Sequence, residues 1–309
     1  MSTLLDVVLP VFLVLGFGYL AAWKLGLTEG AVDGAMVYAQ SFAFPVLLFR
    51  GVSGLHLSET FNLAMLGSFY TGVLVGFFAG FLGAHYLFKR PWQDSVAVGF
   101  ATAFSNGGLL GLPITERAYG VDAIGFNFAI IAFHAPFVYT LAVTVMEIVK
   151  AEGRSVASTA LSVLRSMAKN PLLIGIVLGA LTNLSGLALP GPAKSAVDMV
   201  AASAIPVALV ALGGMLYRYK PEGDLRLVAW IVAISLVLHP VIVFGLSHAT
   251  NLAIGPMRSA VLMAAMPTGV NAYVFANMYG VAKRVAATAV LAGTVVSILT
   301  IWLWLGVLG

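Results

Sequence analysis

The chain has no cysteine among its 309 residues and little charge of either sign, Lys, Arg, Asp and Glu together making up 9%. The first absence removes disulfides, thiol nucleophiles and thiolate metal sites. The second is incompatible with a soluble globular surface, since such domains draw about a quarter of their residues from these four types. Also missing are a long polar linker, a low-complexity tail and any polar segment large enough to form a separate soluble domain. No G-x-S-x-G, H-E-x-x-H or paired-Asp pattern occurs at a candidate span centre, so a hydrolase would lack a visible nucleophile, base or metal site. These absences point away from an enzyme and from any metal or organic cofactor.

What is present is apolar: 61% of residues are hydrophobic and the mean hydropathy is +1.01. About 20 apolar residues rising 1.5 Å each cross a bilayer core. Ten such stretches occur, near 4–23, 34–53, 62–88, 95–119, 121–149, 168–187, 193–217, 226–248, 257–281 and 285–308. The first, Leu4 to Trp23, is too long for a signal-peptide core and has no basic segment before it, so it reads as a span. The expected fold class is an all-α polytopic membrane protein with ten transmembrane helices and the lipid bilayer as its solvent.

Ten spans alternate the loops between two sides. One side then holds Lys24, Lys89, Arg90, Lys150, Arg154, Arg165, Lys169, Arg218, Lys220, Arg226, Lys283 and Arg284, the other only Arg50, Arg117, Lys194 and Arg258. Cytoplasmic loops carry the excess of Lys and Arg, which puts both termini on the non-cytoplasmic side of a cell (inner) membrane. The net charge of +4 is dispersed among these loops. It forms no basic stripe, so no nucleic-acid partner is expected.

The ten stretches divide into two groups of five, 1–149 and 150–309, and punctuation residues recur between them. Pro10 and Pro171 stand 161 apart, as do Pro45 and Pro206, while Tyr119-Gly120 and Tyr279-Gly280 stand 160 apart. An odd number of spans per repeat makes the second copy enter from the opposite side, so the repeats are inverted and supply two alternative gates.

Stretches four and nine are interrupted where a spanning helix should be most apolar, by FSNGGLLGLP from Phe104 to Pro113 and MPTGVNAY from Met266 to Tyr273. Backbone groups freed by Gly and Pro cannot face lipid; they persist where they line a cavity, and at matching repeat positions they mark a substrate site. Pro113, helped by Gly107, Gly108 and Gly111, is expected to split its helix so that a second half begins around Gly111 to Pro113. Orphan N–H groups at such a start suit a carboxylate. Ser105, Asn106, Pro267, Thr268, Gly269, Asn271 and Tyr273 complete the candidate substrate-binding set, the two amides meeting near the bilayer midplane. Kinks alone would explain either cluster but give no reason for the two to correspond.

His134, within AIIAFHAPFV, is an ionisable group inside a span and joins the set as proton carrier or neutral donor. A satisfied structural histidine is the plainer alternative, and the preferred one for His239, which precedes Pro240. Glu116 and Arg117 suit an outer gate or a solvated helix end. Gly72, Gly76, Gly80 and Gly83 form a packing stripe. No pair of carboxylates occupies a span centre, which counts against a sodium/proton antiporter.

The run N-G-G-L-L-G-L-P followed by A-Y-G, Asn106 to Gly120, together with P-T-G-V-N-A-Y, resembles the auxin efflux carrier family of membrane transporters, including its bacterial small-carboxylate and malonate-type members. The resemblance covers essentially the whole chain. It implies a scaffold domain of helices 1, 2, 6 and 7, a mobile transport domain of helices 3–5 and 8–10, an elevator-like movement between them, and a homodimer. Phe104-Ser105 stand where plant members carry a second Asn and a Pro, and the segment from Lys150 to Lys169 is short. Both departures count against auxin as substrate and against regulation through a long loop. The expected function is transport of small organic anions, mono- or dicarboxylates such as malonate. Sodium- or proton-coupled symport and a non-transporting receptor on the same fold are the alternatives.

Overall fold

The computed structural model describes residues 4–54, 62–150, 169–186 and 188–309. Arg154 and Arg165, counted above among the loop cations, lie outside the described residues, as do the first residue and the last of stretch 168–187. The described residues are helical, with no strand among them and a single isolated β-bridge.

Among the described residues seven helices are long and apolar enough to cross a membrane: α1 (Asp6–Lys24), α2 (Glu29–Ser53), α3 (Leu63–Tyr86), α6 (Ile124–Lys150), α8 (Gly191–Arg218), α9 (Leu225–Ala249) and α12 (Lys283–Leu308). A shorter apolar helix, α7, runs Pro171–Ser185. The fourth and ninth stretches each run as two helices, α4 (Trp92–Ala103) with α5 (Leu112–Tyr119), and α10 (Ile254–Ala264) with α11 (Asn271–Tyr279).

Local chemistry starts and stops these elements. Side-chain oxygens of Thr28, Asn62, Asn170 and Asp224 accept the first amides of α2, α3, α7 and α9, each satisfying a donor that has no intrahelical partner. The recurring Tyr-Gly pairs close the second half of each interrupted stretch: Gly120 and Gly280 end α5 and α11 at φ of 87° and 76°, where a Cβ would be strained.

Two groups of helices emerge from the packing. In one, α1 lies along α8, α2 lies along α7, and α8 also packs on α2. In the other, α3 packs on α4, α9 and α10, α6 on α4 and α10, and α12 on α9 and α11. The first group is tied by backbone approach. A Cβ on Gly18 of α1 would run into the backbone of Val210, and one on Gly179 of α7 into that of Phe49. These contacts are reciprocal, because Gly18 and Gly179 stand 161 apart and so do Phe49 and Val210. In the second group the stripe on α3 packs as expected, Gly72 against His239 and Val243, Gly80 against Thr102 and Gly83 against Trp230.

The chain ends come to one face. The guanidinium of Arg117 donates to the Asp6 carbonyl at 2.6 Å, Arg258 donates to the carbonyls of Leu308 and Gly309, and Arg258 lies over the Tyr119 ring. Arg90–Asp224 and Arg284–Glu222 are joined elsewhere by ion pairs of 3.2 and 3.4 Å.

Candidate functional site

The two interruptions meet. The Asn106 amide donates to the Pro267 carbonyl at 2.8 Å and the Gly269 amide to the Phe104 carbonyl at 2.8 Å, which pairs Ser105 with Thr268 as a one-rung antiparallel bridge. Extended backbone at this depth would strand its polar groups, and each segment supplies the partners the other lacks. The Thr268 hydroxyl donates to the Ala101 carbonyl at 3.0 Å. With that proton committed, Ser235 of α9 donates to the Thr268 oxygen at 3.3 Å. The bridge is therefore held from α4 and α9 as well.

Beyond the bridge both chains turn helical. A wide turn over Gly107–Gly111, in which the Gly111 amide reaches the Asn106 carbonyl at 3.3 Å, leads directly into α5. The half-helix thus starts at Gly107, and the expected start around Gly111 to Pro113 is corrected. Pro113 does not break this helix because it sits in the first turn of α5, just after the five-residue register where one missing N–H is tolerated. The amides of Gly107, Gly108 and Leu109 precede the first intrahelical acceptor, as do those of Val270 and Asn271 at the start of α11.

Both starts open on one cavity of about 370 Å³, a volume suited to a small ligand. Its walls come from the crossing (Phe104 to Leu109, Gly269 to Asn271), from α6 (His134, Tyr139), and from the other helix group (Gln40, Ser41, Asn170). Among the described residues no Lys, Arg, Asp or Glu lines it. Oriented amides and the positive ends of two helix dipoles face it. The Nδ2 of Asn106, 4% exposed, has no acceptor among the described residues.

His134 is buried beside this cavity against the rings of Phe69 and Phe104. The Ser105 amide lies 3.2 Å from its Nε2. A backbone N–H only donates, so Nε2 accepts and the imidazole is neutral with its proton on Nδ1. That Nδ1 has no partner among the described residues.

Of the residues singled out from sequence, Ser105, Asn106, Gly107, Gly108, His134, Gly269 and Asn271 line the cavity together. Pro267 and Thr268 lie behind them in the bridge. Three stand apart from the cavity: Gly111 packs against Met263, Pro113 is buried within α5, and Tyr273 faces the ring of Tyr219 at 5.2 Å. Sequence reasoning passed over Gln40, Ser41, Asn170 and Ser235. Gln40 and Ser41 were visible as polar residues in an apolar stretch, and Asn170 as a cap before Pro171. His239 packs with the Phe69 ring at 5.3 Å and hydrogen-bonds to the Phe69 backbone, on α3 and not at the Pro240 kink, while its Nε2 has no partner among the described residues.

A helical, membrane-embedded chain whose interrupted helices meet at a polar cavity belongs to the class of membrane transporters. By its match over residues 3–305 the chain belongs to the membrane transport protein family, the auxin efflux carrier family. It is 27% identical over 307 residues to a Rhizobium meliloti (strain 1021) protein named "Putative malonate transporter", with 97% of this chain and 94% of that one covered. It is 23% identical over 301 residues to proteins of Escherichia coli (strain K12) and Shigella flexneri named "Uncharacterized transporter YfdV", covering 96% of this chain and 95% of each of those.

Proposed function

We propose that the chain carries small organic anions, mono- or dicarboxylates of about the size of malonate, across the cell membrane. The observation that carries this reading is the convergence of two half-helix starts and the Asn106 side-chain amide, unpartnered among the described residues, on a cavity that none of the described charged residues lines. A fixed cation would bind a carboxylate tightly but release it slowly; backbone dipoles supply attraction without a charge that must itself be left behind. The name carried by the Rhizobium meliloti relative agrees with a small dicarboxylate.

The proposed movement is elevator-like. The helices α1, α2, α7 and α8 would form the scaffold, and α3 to α6 with α9 to α12 the moving body that carries the crossing. Supporting this division, the cavity runs between the two groups, with Gln40, Ser41 and Asn170 on one wall and the crossing on the other. The reciprocal Gly18–Val210 and Gly179–Phe49 approaches support an inverted repeat of five segments in each half. Both termini are assigned to the non-cytoplasmic side by the distribution of Lys and Arg, and a homodimer is the proposed assembly.

Purified protein in liposomes should take up labelled malonate or lactate under an imposed membrane potential, pH gradient or sodium gradient, each applied alone. Saturable binding without flux under all three would make the chain a receptor and end the transport reading.

A further inference from the structure

We infer that Arg50 is an anion-capture residue in a second cavity, one that meets a carboxylate before it reaches the crossing. This rests on the reading of the chain as an organic-anion carrier. The second cavity, of about 390 Å³, is lined by Leu47 and Arg50 of α2, Leu112 and Glu116 of α5, Phe128 of α6 and Pro206 of α8. Leu112 also lines the first cavity, and its neighbours across the gap divide in the same way, Leu48 facing the first and Leu47 the second. One layer of side chains therefore separates the two. That layer is tight: the Phe128 ring lies where a Cβ on Gly51 would go. The second cavity opens toward the face of the chain ends, since Arg117, next to Glu116, holds the Asp6 carbonyl. The distribution of Lys and Arg makes this the non-cytoplasmic face.

Arg50 is the one cation lining this vestibule among the described residues, and it is only lightly engaged. Its guanidinium stands 3.7 Å from one oxygen of Asp198, beyond hydrogen-bond length, while the other oxygen takes Lys194 at 2.7 Å. Asp198 thus has its stronger partner in Lys194, one turn away. Guanidinium carries five N–H donors in a planar fork that matches a carboxylate, and the Arg50 side chain lines the cavity while remaining 38% exposed. Glu116 faces the same space and forms no ion pair among the described residues. A guest therefore places one carboxylate on Arg50 and keeps any second one away from Glu116, so the vestibule admits both classes but favours a monocarboxylate over a dicarboxylate of similar size.

Uptake of labelled malonate and lactate into right-side-out and inside-out membrane vesicles separates the two faces. Arg50→Gln should raise the KM from the non-cytoplasmic face about five- to tenfold, the worth of a partly exposed charge-assisted hydrogen bond, and leave the KM from the other face unchanged. Arg50→Lys should recover part of the loss, and Glu116→Gln should lower the same KM, more for malonate than for lactate. Equal KM values for wild type and Arg50→Gln on the non-cytoplasmic face overturn the inference while leaving the transport reading standing. Ala202→Cys, at an exposed position lining the same cavity, keeps Arg50 in place and supplies a readout independent of flux, because no other cysteine competes. A membrane-impermeant thiol reagent should label it from the non-cytoplasmic face, more slowly with malonate present. Labelling from the cytoplasmic face alone, or indifference to malonate, overturns the inference even if wild-type protein moves no carboxylate.

Discussion

The Ser105 backbone N–H donates to Nε2 of His134 at 3.2 Å, and this one contact settles which ring nitrogen carries the proton. It also makes the histidine a support of the crossing, because Ser105 is the residue paired with Thr268. Protonating Nε2 would set an N–H against the Ser105 N–H, so in this state His134 acts as a neutral brace, with Nδ1–H a donor that has no partner among the described residues.

Replacing His134 by Ala should leave the buried Ser105 amide without its acceptor, at a cost of about 1–3 kcal/mol. His134→Gln offers an acceptor at similar reach and should retain more of both stability and flux. Thermal unfolding in detergent beside liposome uptake checks this; equal losses in the two variants would show that the contact contributes nothing.

Asn106→Ala should separate binding from stability. The Asn106 Nδ2 has no partner among the described residues to lose, so the melting temperature should stay close to wild type while carboxylate flux falls about tenfold, the worth of one or two hydrogen bonds to an anion. Asn106→Asp, nearly the same shape but negative, should abolish flux. An Asn106→Ala protein that transports normally removes this residue from the site.

Thr268→Val keeps the shape of the side chain but removes the hydroxyl that joins the Ala101 carbonyl and Ser235. A stranded buried carbonyl should cost about 1–2 kcal/mol, whereas Thr268→Ser should be close to neutral. The test is the unfolding midpoint of each variant; a valine variant as stable as the serine one would show that the hydroxyl does not secure the bridge.

Gly18→Ala should destabilise the protein by about 1–3 kcal/mol through overpacking, since the new methyl meets the backbone of Val210. Gly16→Ala on the same helix meets nothing within 4 Å and should be neutral or stabilising by up to about 1 kcal/mol, from helix propensity. Reversal of this order in a melting experiment would contradict the close approach of α1 and α8.

Much of the site was legible where one residue type has one physical use at membrane depth. Gly107, Gly108 and Gly269 marked irregular backbone, and Asn106 and His134 stood out as polar groups with no reason to face lipid. The start of the half-helix was misjudged because Pro113 reads locally as a breaker, whereas the turn over Gly107–Gly111 changes the hydrogen-bond register ahead of it. Gly111 and Tyr273 share the motifs of the site but face Met263 and Tyr219, since the direction of a side chain depends on the local winding of the helix. Gln40, Ser41 and Asn170 reach the cavity from another group of helices, and no spacing within the chain announces that meeting.

The sequence by itself determined that this chain lives in a membrane, that it is helical, and that two of its stretches are interrupted, because lipid leaves unpaired backbone few alternatives. Only the tertiary structure decided that the interruptions bind each other through Ser105 and Thr268, that His134 accepts from one of them, and that the open amides share a single cavity. The physical reason is that composition and periodicity report what each segment must hide. Which partner hides it depends on contacts between residues more than a hundred positions apart, such as Asn106 with Pro267 and Thr268 with Ala101.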